Sequence, residues 1–356
     1  MFPISVLSTS DPLVRDITSL CLVDDVDVLT CDLREDSVVL HFTSRDGAGW
    51  EREFPLAHPC LTCSLREAVV PTLAALAAET APRRDGVLLG LPVAVEPLNV
   101  LPTLEDLTEP GEALEECVLA SSVHALDLTT ATADLLHHVP LADRGLALFE
   151  DDERCTGEVL MNAVGYADIV VTTGQDELGS DLVEHLRPLD TLRIDHLTDL
   201  TRVLLLDGRH DSDAAIARIH PALTAAWGGP TTHGVWTLDL HSDRPFHPLR
   251  LAERAGELGA EGTCARGCFW LPSRSTTVCT WEVNGGTVCV GTAGEWEAPA
   301  FTHLIVTGVG DEARRAAIET SFREILMTPS EMADVLDWVG VDDGLSAWFP
   351  LEDQIS

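Results

Sequence analysis

The strongest constraint on the fold is alternation. Over the first two-thirds of the chain, short apolar runs rich in β-branched residues take turns with segments of helical periodicity. That order predicts a parallel sheet joined by crossover helices. Strand candidates cover residues 4–8 ("ISVLS"), 26–33, 37–44, 86–95, 117–128, 167–173, 190–197 and 202–208. Helix candidates cover 64–80, 131–139, 155–166 and 176–189. Ser64 and Glu67 fit a capping box for the first of these, and Pro71 should kink that helix or start its main body. At the N-terminus the first strand runs into a helix that Ser10 or Asp11 can cap, with Pro12 in its first turn. A phosphate-gripping loop usually sits at such a junction. It needs glycines for backbone wrapping, a Lys for the phosphates and a Ser or Thr for Mg²⁺. No glycine precedes Gly47, and Arg15-Asp16 stand where Lys-Thr would be.

"WGGPTTHG", residues 227–234, marks a boundary, and the pattern changes beyond it. Strand candidates at 235–242, 264–272, 277–291 and 301–310 surround a short helix at 248–258, and a helix at 311–326 closes the segment. Asn284-Gly285-Gly286 is a hairpin signal. The reading is a nucleotide-binding-type α/β domain over 1–228, a smaller α+β domain over 229–330 and an acidic tail over 331–356. The tail carries Trp338, Trp348 and Phe349, which suit either packing on the body or binding a partner.

Charge narrows the chemistry. There are 59 acidic residues against 22 basic ones, a net charge of −37, and every basic residue is arginine. Without lysine there is no Schiff base and no standard phosphate loop. A GC-rich genome would favour the same composition. The charge disfavours direct DNA or RNA contact and favours basic protein partners. With no leader pattern and no run of 18 apolar residues, the expectation is a cytoplasmic chain that does not enter a membrane. Ten cysteines in such a chain read as thiols.

"HPCLTCSLREAVVPTL", residues 58–73, holds Cys60 and Cys63 at a strand-to-helix turn. C-x-x-C spacing lets two thiolates face one metal, and His58 could add a third ligand. Two partly buried thiols are the alternative. A redox reading would want a thioredoxin-like order of elements, which the surroundings do not supply. Cys264, Cys268, Cys279 and Cys289 fall on strand candidates and read mainly as core. His137-His138 stand at a helix end, where a cation suits the dipole.

"LAHPCLTCSLREAVVPTL", together with "RPFHPLRL" (244–251), "RGCFWLPSR" (266–274) and "FTHLIVTGVG" (301–310), resembles the CobW family. These are metal-linked GTPases with a nucleotide domain and a CobW C-terminal domain. Cys60 and Cys63 match the outer cysteines of the family's G-C-x-C-C-S-L-R segment, and Thr62 replaces the middle one. The departures are systematic. The phosphate loop aligns with Thr9, Ser10, Asp11, Pro12, Arg15 and Asp16. The base-reading N-K-x-D aligns with Thr173-Gly174-Gln175-Asp176 and keeps only Asp176. Leu89 stands at the switch glutamate. The resemblance thus implies a GTPase scaffold that binds no nucleotide and has no catalytic residue. "LAHPCLTCSLREAV" and "DRPFHPLRL" are similar to an actinobacterial branch with a degenerate phosphate loop. That branch recruits a hibernation factor to the small ribosomal subunit under zinc starvation. The implied function is therefore non-catalytic recruitment, with the ribosomal subunit or a basic hibernation factor as partner. The alternative is a zinc metallochaperone working through Cys60 and Cys63.

Overall fold

The computed structural model describes residues 1–79, 84–259 and 261–349. In chain order the regular elements begin with β1 (Phe2–Ser8), α1 (Pro12–Leu22), β2 (Asp27–Leu33), β3 (Ser37–Thr43) and β4 (Gly49–Pro55). Then come α2 (Leu61–Ser64), α3 (Val70–Ala78), β5 (Val87–Gly90), α4 (Leu101–Asp106), β6 (Cys117–Asp127) and α5 (Leu128–Leu136). They continue through α6 (Thr156–Tyr166), β7 (Ile169–Thr173), α7 (Glu177–Leu186), β8 (Leu192–Ile194), α8 (Arg202–Leu206) and α9 (Ser212–Ile219). The C-terminal part adds β9 (Val235–Ser242), α10 (Pro248–Arg254), β10 (Thr263–Phe269), β11 (Thr277–Asn284), β12 (Thr287–Glu295), β13 (Thr302–Val309) and α11 (Glu312–Ile325). Two compact units result. The first comprises Met1–Ala131, Pro140–Asp176 and Arg187–Ile216; the second comprises Thr132–Val139, Glu177–Leu186 and residue 217 onward.

The first unit is α/β, as the alternation predicts. Its sheet runs β4-β3-β2-β5-β1-β6-β7-β8. All pairs from β2 to β8 are parallel, and β3 and β4 extend one edge as antiparallel strands. β1, β5 and β6 are buried almost throughout, which is why they read as apolar runs rather than alternating ones. Leu7, Val28, Leu88, Val123 and Val171 form a core with Val14 and Leu22 of α1. Two local readings are corrected. Residues 202–208 start a helix, α8, because Thr201 caps it through the Leu204 N–H, and only Leu205 and Leu206 are buried. A short apolar run does not distinguish the two states. β4 is an additional strand; it lies at the sheet edge, and its Glu51, Arg52 and Glu53 conceal any apolar alternation.

The run Leu61–Ala78 is continuous helix and is long and apolar enough to cross a membrane by length and composition, although it carries Arg66 and Glu67. Its Leu65, Ala68, Val69, Leu73 and Leu76 are buried in the protein. Leu65–Val69 is a π-turn in which the Val70 N–H bonds to the Leu65 carbonyl. The widened turn accommodates Pro71, which has no N–H to give the Glu67 carbonyl. The main body of the helix then starts at Val70, one of the two outcomes expected of Pro71.

The second unit is α+β, with an antiparallel sheet ordered β12-β11-β10-β13-β9. Phe246, Phe269, Trp281 and Phe322 interlock at its centre, with ring separations of 5.5, 5.6 and 6.2 Å. The β11–β12 hairpin turns at Gly285-Gly286, both at positive φ. The unit also holds two segments placed by the sequence reading before residue 229. The Gly262 N–H bonds to the Leu136 carbonyl at 2.8 Å, and His138 meets Thr287 at 3.0 Å. His185 of α7 bridges Thr237 at 2.8 Å and the Pro230 carbonyl at 2.9 Å, and His233 reaches Asp181 at 2.8 Å. These are contacts between distant stretches, so local composition does not reveal them. From Glu331 to Phe349 the tail packs on this unit. Leu345 is fully buried, Asp343 pairs with Arg274 at 3.3 Å, and the Arg274 guanidinium stacks on Phe349. Residues 350–356 lie outside the described residues.

Candidate functional site

Ligands of open α/β sheets sit beyond the C-terminal strand ends, where connections leave in opposite directions. Here that place is the end of β1, between β5 and β6. A helix N-terminus there offers unpaired N–H groups and a partial positive charge, the usual phosphate seat. In this chain the seat is taken by the protein itself. Asp11 is the N-cap of α1, and its Oδ1 accepts from the N–H groups of Leu13 (2.7 Å) and Val14 (3.2 Å). Of the two capping candidates, Asp11 fills the role and Ser10 does not. Thr9 accepts from the Asp11 N–H at 3.1 Å through its hydroxyl, and its carbonyl takes the Ala94 N–H at 2.9 Å. Pro12 supplies the first helical residue. The Arg15 guanidinium, at the phosphate-loop lysine's neighbourhood in sequence, is held by Asp32 of β2 at 2.6 Å and by Asp16 at 3.7 Å.

The other nucleotide elements have equally ordinary roles. Leu89 is fully buried inside β5, paired with Val6 and Leu29. Thr173-Gly174-Gln175-Asp176 follows the β7 end, and Thr173, Gly174 and Gln175 line an open hollow of about 480 Å³ with Asp195 and His196. Gly174 has φ +70°, and a Cβ there would run into the Asp127 carboxylate. The tetrapeptide therefore forms a glycine-dependent turn without the asparagine and lysine.

Sequence reasoning missed two features of this region. Arg154 donates to Asp152 at 2.8 Å, to Glu96 and to the Ala94 carbonyl at 3.1 Å, fixing a loop in which Ala94 holds a left-handed φ of +62°. Burial alone would lower the Arg154 pKa, but the two carboxylates more than offset it and hold the guanidinium charged. Nothing in the separated fragments "VEP" and "DDER" announces this cluster. The second feature is His124, fully buried beside Ser8, with Nδ1 3.0 Å from the Ser8 hydroxyl and, among the described residues, no partner for Nε2. Burial pushes its pKa down to about 4, so the imidazole is neutral.

The C-x-x-C pair is assembled. Cys60 is the N-cap of α2, and its Sγ accepts from the Cys63 N–H at 3.2 Å. Both residues are half-buried. The Cys63 thiol donates to the Cys60 sulfur and, against a smaller burial penalty, the N–H groups of Cys63 and Thr62 help it lower the Cys60 pKa. The same thiol contact raises that of Cys63. The expected Ser64 capping box does not form. Ser64 already lies in the helix, and its hydroxyl donates back to the Cys60 carbonyl at 2.8 Å. His58 is exposed and does not join the pair. Among the described residues, no group of three or more His, Cys, Asp and Glu is placed to hold a metal ion. Zinc takes four tetrahedral ligands, so Cys60 and Cys63 fit it as half of a site that water or another protein would complete. Cys264, Cys268 and Cys279 are core thiols, each pushed up to about 12 by burial; Cys289 is exposed.

Comparison with known proteins adds four findings. A protein of Mycobacterium tuberculosis named zinc chaperone Rv0106 is 27% identical over 266 residues, which span 70% of this chain and 61% of that protein. Uncharacterized protein Mb0109 of Mycobacterium bovis matches to the same extent. The chain thus spans less than two-thirds of these curated relatives. The Zn(II)-bound YjiA GTPase of E. coli aligns over 91% of this chain and 98% of its own, at 10% identity and a TM-score of 0.31. Residues 235–326, within the second unit, match the family described as cobalamin synthesis protein cobW C-terminal domain.

Proposed function

We propose that the whole chain is a CobW-family protein that handles zinc without a GTP cycle, presenting a two-thiol half-site for metal transfer. The observation that carries this reading is the Cys60–Cys63 pair, joined through the Cys63 N–H at the open end of a helix. The matched C-terminal domain and the name of the Mycobacterium tuberculosis relative support zinc handling over ribosome recruitment. The Asp11 carboxylate on the α1 N–H groups argues against a nucleotide cycle, because a phosphate would have to displace it. Zinc competition with a chromophoric chelator tests the reading. Wild type should take up one zinc per chain, and Cys60→Ser with Cys63→Ser should lose it. Equal uptake by both proteins refutes the assignment. Micromolar GTP binding with Mg²⁺ in isothermal titration refutes the absence of a cycle.

A second reading is recruitment to the small ribosomal subunit or to a basic hibernation factor. What favours it is the filled phosphate seat together with the −37 charge, which steers association toward basic protein surfaces. Co-sedimentation with purified subunits should then weaken as salt rises. No pelleting at low salt, with or without a hibernation factor, refutes it.

A further inference from the structure

We propose that Cys60 and Cys63 close into a reversible disulfide, so that oxidation shuts the half-site and reduction reopens it. The consequence for metal rests on the zinc reading above; the disulfide itself rests on geometry. Cys60 lies just outside the helix with extended backbone (φ −147°, ψ 113°), and Cys63 lies in the first turn. The Cys63 N–H points at the Cys60 sulfur from 3.2 Å. The helix start therefore holds the two cysteines side by side, with the Cys60 sulfur directed at the backbone of Cys63. Residues three apart in a helix have Cβ atoms about 5–6 Å apart, and a disulfide wants about 3.5–4.5 Å. The non-helical backbone of Cys60 is free to make up the difference. No third metal-ligating side chain crowds the pair among the described residues. Of the other cysteines, six are buried, and the exposed Cys21 and Cys289 belong to α1 and β12.

The oxidant is a low-molecular-weight disulfide, RSSR. The Cys60 sulfur attacks one sulfur of RSSR, the S–S bond breaks, and RS⁻ leaves with the electron pair. The Cys63 sulfur then attacks the Cys60 sulfur of the mixed disulfide and expels the second RS⁻. The two thiol protons end on the two leaving thiolates. The protein dithiol is oxidised by two electrons, and RSSR is reduced to two RSH. Cys60 is the entry point because its sulfur sits at the helix N-cap and accepts the Cys63 N–H.

The test uses the full chain with Cys21→Ser and Cys289→Ser, incubated in glutathione buffers from reducing to oxidising and mapped by mass spectrometry. The expected result is one disulfide between positions 60 and 63, reversed by dithiothreitol. Adding Cys63→Ser should trap glutathione on Cys60, and adding Cys60→Ser should trap at least tenfold less on Cys63. Circular dichroism checks that each variant is folded. Absence of the disulfide at the oxidising end in folded protein overturns the proposal, as does equal trapping at both positions. Zinc added first should slow closure at least tenfold. If it does not while the disulfide still forms, the zinc reading falls and the disulfide stands.

Discussion

Replacing Asp11 with alanine tests whether a carboxylate has taken over the phosphate's place. Asp11 satisfies two N–H groups of α1, one near the ideal distance at 2.7 Å and one long at 3.2 Å. The first turn of the helix contains no other acidic residue, so nothing replaces the lost charge. Loss of an N-cap costs about 0.5–2 kcal/mol. The helix buries Val14, Thr18 and Leu22 against the unit, so fraying at its start is transmitted to packing. One good and one long charge-assisted bond place the expected loss near the upper part of that range, about 1.5 kcal/mol. Urea unfolding followed by far-UV circular dichroism reads it as a lower midpoint with an unchanged slope. Asp11→Asn keeps the acceptor and should recover most of the loss. A second arm adds sulfate against sodium chloride at matched ionic strength. Sulfate should stabilise Asp11→Ala more than wild type, because only the variant leaves the helix end open to an anion. Asp11→Ala within about 0.5 kcal/mol of wild type, the scatter of ordinary surface substitutions, would refute the reasoning. So would an equal response of both proteins to sulfate.

Three further outcomes follow from the structure. Arg154→Met should cost about 3–5 kcal/mol in urea unfolding, because it strands the buried Asp152 and Glu96 carboxylates. The Asp152 pKa is lowered because its hydrogen bonds, chiefly from Arg154, outweigh burial; its contribution is therefore present at neutral pH and fades as pH falls through the folded-state value, a trend the variant should lack. His124 has a pKa of about 4 when folded and an ordinary value of 6.5 when unfolded, so the unfolded chain binds more protons between them. Stability should decline as pH drops from 6.5 toward 4, by at most about 3 kcal/mol, and His124→Gln should flatten that dependence in urea midpoints measured from pH 7 to 5. Gly267 sits in β10 at φ +151°, where a Cβ would meet the His303 backbone, so Gly267→Ala should lower the unfolding midpoint by the equivalent of about 3 kcal/mol or more.

The sequence by itself determined the class of both units. Buried parallel strands such as 4–8 and 167–173 are dominated by apolar residues on both faces, and crossover helices must carry a 3.6-residue stripe, so both leave traces in the sequence. The missing glycines before Gly47, the absent lysine and the Cys60–Cys63 spacing are likewise local facts, legible without coordinates. What replaced the missing groups was decided by tertiary structure. Asp11 as the cap actually used, Arg15 bound to Asp32, and Arg154 between Asp152 and Glu96 depend on strands and loops that meet from distant parts of the chain. The membership of α7 and of residues 132–139 in the second unit has the same origin, through His185, His138 and Leu136. His58 illustrates the limit from the other side. Its spacing invited a third ligand, but two residues of non-helical chain leave the imidazole exposed while the helix start fixes Cys60 and Cys63 together. Periodicity and spacing record what neighbouring residues do for one another; which distant side chains complete a charge, a cap or a metal site is set only when the backbone closes.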